Sequence, residues 1–373
     1  MNKTKYFGII ILTAICLFTY TIKAEEYKKE YKVEPGQELR LDLESGTRIE
    51  ITGWDKNVVD IYLEVSGRDS DLFEVEFEQT NNGVEVNTDY DYHRKDVKCK
   101  SVIKVKVPNK FDLDFSTLGG SVSIDGVEGT IEGTTMGGEY NLRNLKGELN
   151  CETMGGEISL VDSEVDGKVK TMGGRVKLEN IVGDVDATTM GGSIIQKNVK
   201  SKSGNRSAQN VSTMGGDVEI SEATNGAYAK TMGGNIKVEY VKDFLEAETM
   251  GGSIKVKQLD GRIKATTMGG EIEVVMVGNP EEGDRDVYLK SMGGDIELVV
   301  PESLSMDIDV EIERTRRSSE PEIITDFGVE SKISDNDSHR KHDRYVTGRK
   351  IVNGGKNKIK IRTVNSDVRI LKN

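Results

Sequence analysis

The chain has 373 residues, a formal charge of −13 from 51 Lys+Arg against 64 Asp+Glu, and 41 Gly beside only 5 Pro and 1 Trp. The acidic balance argues against a phosphate-backbone binder, which needs clustered Lys and Arg, and an aromatic content of 6% leaves few platforms on which bases could stack, so no nucleic-acid partner is expected. A length that ordinarily means two or three domains raises the question of whether one repeated unit fills it.

Residues 1–24 read as an export signal: Lys3 and Lys5 form a basic start, Phe7 to Ile22 carries no charge, and Ala24 supplies the small residue before cleavage. That uncharged run of 16 residues is short of the roughly 20 needed to span a bilayer as a helix, so no transmembrane span is expected after cleavage. Leu12-Thr13-Ala14-Ile15 lacks the small residue expected beside a lipidated cysteine, so Cys16 is read as part of the signal. Cleavage removes three Lys and no acid, leaving 48 against 64, a balance of −16. The expected location is the periplasm or cell surface of a bacterium.

Residues 25–98 alternate apolar and polar side chains, as in Leu39-Arg40-Leu41-Asp42-Leu43 and Val84-Glu85-Val86, and predict a β-rich N-terminal cap. From Thr117-Leu118-Gly119-Gly120 the chain repeats itself. Thr-Met-Gly-Gly begins at 135, 153, 171, 189, 213, 231, 249 and 267, and Ser291-Met292-Gly293-Gly294 closes the series; the spacing is 18 residues except for 24-residue units at 189 and 267. Counting each unit from its Thr, positions 6 and 8 are apolar in most units (Ile158 and Leu160, Val176 and Leu178, Ile254 and Val256), with polar residues at 5 and 7. Position 11 is usually apolar (Leu145, Ile181, Val241, Val277), 13 is often Gly, and 15 and 17 are apolar or small. Such short strands broken at Gly-rich corners predict an all-β, single-stranded β-solenoid over 99–300, each strand pairing with its copy in the next coil. A left-handed hexapeptide helix would also have 18 residues per coil, but its aliphatic residue at every sixth position is missing, so a right-handed parallel β-helix is favoured. Nine strand spacings make a rod of roughly 43 Å.

Both long units place their extra residues in one slot, after Val199 and after Val277. The first insertion is basic, with Lys200, Lys202 and Arg206; the second is mainly acidic, with Glu281, Glu282, Asp284 and Asp286. Loops interrupting a regular scaffold are where recognition tends to reside, so these seven residues are candidate partner contacts, expected to be dispensable to the fold. Residues 301–373 predict a C-terminal β cap with a polar excursion over 311–346, and the closing Thr363-Val364-Asn365-Ser366 mimics the repeat with Asn-Ser in place of Gly-Gly. In this register Cys99 and Cys151 lie about three coils, roughly 14 Å, apart. A disulfide needs Cα atoms within about 7 Å, so no bridge between them is expected.

With its tandem Thr-Met-Gly-Gly units, Glu44-Ser45-Gly46 through Gly53-Trp54-Asp55 as an opening and Val352-Asn353-Gly354-Gly355 through Ile370 as a close, the chain resembles the bacterial putative-adhesin family often called DUF4097. The resemblance implies an exported right-handed β-helix acting at the cell envelope, with no catalytic residues to carry over.

Other constellations have plainer explanations. The Met column, Met136 to Met292, could offer thioethers to Cu(I) or to oxidants, but is read as filling irregular space at the Gly-Gly corners. The Thr column is placed inward, its hydroxyls bonding to one another or to the corner backbone. His339 and His342, with Asp335, Asp337 and Asp343, are read as a solvated loop, and no metal or cofactor is expected. The expected function is an adhesin-like binding or scaffold protein that engages an envelope or surface protein or a polysaccharide without chemistry of its own. The alternative is a polysaccharide-degrading β-helix enzyme; Glu139 and Glu157 adjoin on outward position 5, but the rest of that row is the mixture expected of a solvated sheet.

Overall fold

The computed structural model describes residues 24–43, 46–90, 99–202, 208–315, 320–336 and 343–373. The export signal with Cys16, as well as His93, Arg206, His339 and His342, lies outside the described residues. Among the described residues there is no α-helix; thirty strands join into one sheet, broken only by turns and a single 3₁₀ turn at Ser70–Leu72.

The 18-residue spacing is a pairing register. Glu128 pairs in parallel with Lys146 and Lys146 with Glu164, and the relation holds along these strands to Thr135, Thr153 and Thr171. One inward column runs Ile49, Val122, Tyr140, Ile158, Val176, Ile194, Val218, Ile236, Ile254, Ile272, Ile296, Val368, paired rung to rung. Every member has 0% exposure, and each aliphatic side chain so buried contributes about 1.5–3 kcal/mol. A period of two along the strand and of 18 along the chain thus makes one continuous apolar core.

The corner motif has a specific cause at two of its four positions. Each Thr is buried and its hydroxyl is used twice: Thr171 Oγ1 donates to the Gly156 carbonyl at 2.8 Å and accepts from the Gly174 N–H at 3.2 Å. The same pair of bonds recurs at Thr135, Thr153, Thr189, Thr213, Thr231, Thr249, Thr267 and Ser291. A Cβ on the second Gly of each pair would sit 1.7–2.2 Å from a backbone oxygen of the preceding repeat, so only glycine permits the stacking distance. The opposite corner is turned by Asn144, Asp162, Asn180 and Asn198, all at φ between 51° and 57°. Their side chains stack as a ladder, Asn180 Nδ2 donating to Asp162 Oδ1 at 2.7 Å and Asn198 Nδ2 to Asn180 Oδ1 at 2.9 Å.

Three expectations need correction. The Met side chains do not fill the corners: the nine are 40–53% exposed, because the Thr before each turns inward and strand alternation turns Met out. The register expected at residue 99 also fails. Thr117 pairs with Leu43, and Leu43 with Thr88, whereas Cys99–Pro108 pairs with Arg48–Trp54 and with Val58–Gly67. No disulfide joins Cys99 to Cys151, but a different register keeps them apart. In the unit starting at 267, Met276 rather than Val277 occupies the core and pairs with Leu259 after a register shift.

Chain order and stacking order part company at both ends. Glu38–Leu43 and Arg48–Trp54 stack directly on Asp112–Thr117 and Val122–Asp125, while the chain between them forms outer strands, partly antiparallel. At the other end Asn357–Val364 lies between Val287–Ser291 and Met306–Arg314, so the last residues of the chain enter the stack before residues that precede them. The stretch expected to be a polar excursion contributes Ser331–Asn336 and Asp343–Val352 to an antiparallel edge. Antiparallel edges rich in charge cover what would otherwise be open templates for further pairing.

Candidate binding face

The two insertions open onto the same run of strands, Gln209–Ser212, Ala227–Lys230, the second half of Ile236–Glu248, the second half of Ile254–Thr267, and Val287–Ser291. Alternate residues of these strands must face solvent, and one outward row reads Asn210, Tyr228, Glu246, Lys264, Tyr288, Lys360. Tyr228 is 45% exposed and meets Phe244 edge to face at 5.2 Å between ring centroids. The Arg262 guanidinium lies over the Phe244 ring, 5.3 Å from its centroid. Gly226 makes this possible: it sits at φ 85°, and a Cβ there would come within 2.4 Å of the Phe244 ring.

Two adjoining shallow clefts flank the aromatic pair. One, of about 420 Å³, is bordered by Tyr228, Lys230, Glu246, Glu248 and Lys264. The other, of about 280 Å³, runs past Phe244, Arg262 and Tyr288 to Asp284 and Asp286. Across the floor the charges are paired in register, Lys230 with Glu248 at 3.1 Å and Lys264 with Glu246 at 4.0 Å. The surface therefore combines apolar ring faces with donors and acceptors at 4–5 Å repeats, suited to hydroxyl-rich or extended ligands rather than to a small enclosed molecule.

The residues singled out in the insertions are only partly brought together. Asp284 and Asp286 border the second cleft. Glu281 and Glu282 border neither cleft; the Glu281 carbonyl accepts from Lys356 Nζ, and the Glu282 carboxylate accepts from Asn279 Nδ2. Lys202 is held by Asp166 at 2.8 Å, two repeats back, and its hydrogen bond, with that from the Asp184 N–H, keeps the Asp166 carboxyl below its ordinary range. Lys200 is exposed.

The second insertion, expected from the sequence to be a dispensable loop, is bonded into the fold. Arg285 within it is 2% exposed, donates to the carbonyls of Glu282 and Val277 at 3.0 and 2.8 Å, and bonds Asp260 at 2.7 Å. Asp286 Oδ1 accepts from the Lys358 N–H at 2.7 Å, so the loop is tied to the closing strand as well. The aromatic pair was missed in the sequence, although Tyr228 stands between Ala227 and Ala229, an alternation that points it outward.

No family model matches this chain, and no curated protein does. Among solved structures, similarity extends to a putative cell adhesion protein from Clostridium sporogenes at 10% identity, covering 94% of this chain and 100% of that one, with a TM-score of 0.19. A putative adhesin from Parabacteroides distasonis is 11% identical over 74% of this chain and 97% of its own, at 0.35. A putative lipid binding protein from the same organism is 17% identical over 68% and 97%, at 0.33. No helix among the described residues is long and apolar enough to cross a membrane.

Proposed function

We propose that the chain is an exported, adhesin-like binding protein of the bacterial envelope, a right-handed single-stranded β-solenoid that presents its Tyr228–Phe244–Arg262 face to a polysaccharide and performs no chemistry on it. The observation that carries this reading is the edge-stacked pair of exposed Tyr228 and half-buried Phe244, in a chain with few aromatics, beside two clefts floored by register-paired charges. The solenoid is supported by the parallel 18-residue register that pairs successive repeats from Glu128 to Thr189. Carboxylates on this face are engaged with Lys230 and Lys264, as a binding surface allows and a general acid or base does not require.

Affinity electrophoresis through gels containing acidic or neutral polysaccharides tests the reading. Retardation by at least one polymer, lost in Y228A/F244A while strand circular dichroism is unchanged, is the expected result. Equal retardation of the double variant would remove this face from the function. New reducing ends or unsaturated products from any of the polymers would replace the binder by the degrading enzyme.

A further inference from the structure

In the four-residue corner, Thr is held by two hydrogen bonds and the second Gly by a backbone contact that no side chain could share. Met is held by neither. It is 40–53% exposed in all nine repeats that carry it, so core packing does not account for its retention. Apolarity does not account for it either. Where the stack needs only an apolar side chain, the residue drifts among Val, Tyr and Ile, as in Val122, Tyr140, Ile158 and Val176, and Leu118 shows that the corner itself accommodates an aliphatic side chain. Nine consecutive thioethers beside a tenth position filled by Leu point to the sulfur as the feature retained. The first Gly of each pair adds to this: a Cβ there would meet nothing nearer than 3.3–3.9 Å, so a side chain would fit, yet the position stays bare and leaves the neighbouring sulfur open to solvent.

Repeats stack at the strand spacing of about 4.8 Å, and two metal–sulfur bonds of about 2.3 Å span nearly that distance. Thioethers are neutral, soft donors that take monovalent d¹⁰ cations in preference to Zn²⁺ or Ca²⁺, and no cluster of three or more His, Cys, Asp or Glu among the described residues offers a harder site. Three places further along the chain, five of the nine repeats carry an acid, Glu139, Glu157, Asp217, Glu271 and Asp295, against one base, Arg175. We propose that Met136, Met154, Met172, Met190, Met214, Met232, Met250, Met268 and Met292 form a linear series of soft-cation sites, each Cu(I) or Ag(I) bridged between the sulfurs of adjacent repeats. The 24-residue units do not interrupt the series, since Gly215 lies against the Met190 carbonyl and Gly293 against the Met268 carbonyl.

The test is titration with Ag(I) in chloride-free buffer, read by native mass spectrometry, in a C99A/C151A background so that thiols do not compete. The mature protein should take up several ions, with nine perturbed methionine methyl signals in ¹³C NMR. Replacing all nine Met by Leu should abolish uptake with the fold retained, as Leu118 predicts. The decisive variant is M154L/M190L/M232L/M268L, which leaves five Met separated by two rungs, about 9.6 Å, too far for one ion to bridge. It should lose nearly all uptake, whereas sulfurs binding singly would keep about half, and that outcome would overturn the bridged arrangement. Uptake by the nine-Leu variant equal to that of the parent would overturn the sites altogether. So would an absence of uptake by the parent accompanied by self-association that both proteins share, the behaviour of a merely apolar docking ridge.

Discussion

Gln196 offers a stability test that depends on the stacking register and on nothing else. It occupies the inward column otherwise built from Leu160, Leu178, Ile220 and Val238, is 1% exposed, and neither its Oε1 nor its Nε2 has a hydrogen-bond partner among the described residues. A buried amide group left without partners costs about 1–3 kcal/mol, and Leu has nearly its shape without its polarity, so Gln196→Leu should stabilise the protein by roughly that amount. Because a stack of repeats is held by nearest-neighbour interfaces, the gain should be local as well as global. Hydrogen exchange read by mass spectrometry should show added protection in Ile194–Lys200 and in the strands on either side, Val176–Val182 and Val218–Ala223. Urea unfolding should show a higher midpoint at unchanged slope, and the melting temperature should rise by on the order of 2–4 °C per kcal/mol. A neutral or destabilising outcome would mean that Gln196 is not in this column, or that its amide is satisfied from within the stack, and the register argument would have to be abandoned at this repeat.

The glycine pair supplies a contrast: Gly174→Ala forces a Cβ to within 2.0 Å of the Gly156 carbonyl oxygen and should unfold the protein or lower its melting temperature sharply, while Gly173→Ala meets nothing nearer than 3.6 Å and should be close to neutral. Arg285→Leu leaves two carbonyls and Asp260 without their donor and should cost about 2–4 kcal/mol by chemical denaturation, against near-neutrality if the second insertion were a free loop. Cys151 is fully buried and burial pushes its thiol well above the usual range, so Ellman's reagent should not modify it in the native protein but should do so at once in denaturant. Burial alone would raise the Asp309 carboxyl, but the hydrogen bond and charge of Arg362, with Arg349 behind it, win and hold it below its ordinary range. A lowered folded-state pKa stabilises above the unfolded value and is lost as pH falls through the folded one, so its contribution should be constant down to about pH 5 and decline below about pH 4. In Arg362→Met that part of the acid sensitivity should disappear from urea midpoints measured between pH 7 and 3.

The repeat spacing, the strand alternation and the inward Thr column could be read from the chain because each is a local periodicity: a residue's face follows from its parity, and its partner from adding 18. Parity also exposes the Met column once Thr is placed inward, yet the pull of an apolar residue toward a buried reading obscured that consequence. The Asn corner is equally legible, since Asn144, Asp162, Asn180 and Asn198 recur at 18 residues, although their polarity gives no sign of a core position. What the periodicity could not decide is where the repeat loses its regularity. At the ends, pairing between Leu43 and Thr117 or between Leu289 and Ile361 joins segments some 70 residues apart, chosen by which strands can cover an exposed apolar rung, and no local pattern encodes that choice. Inside the second insertion, Arg285 is charged in the sequence and buried in the molecule, because Asp260 of the preceding repeat and the carbonyls of Val277 and Glu282 converge on it. The Tyr228–Phe244 pair likewise exists only because residues 16 apart are brought onto adjacent rungs with Gly226 clearing the space between them, a proximity that stacking creates and composition does not.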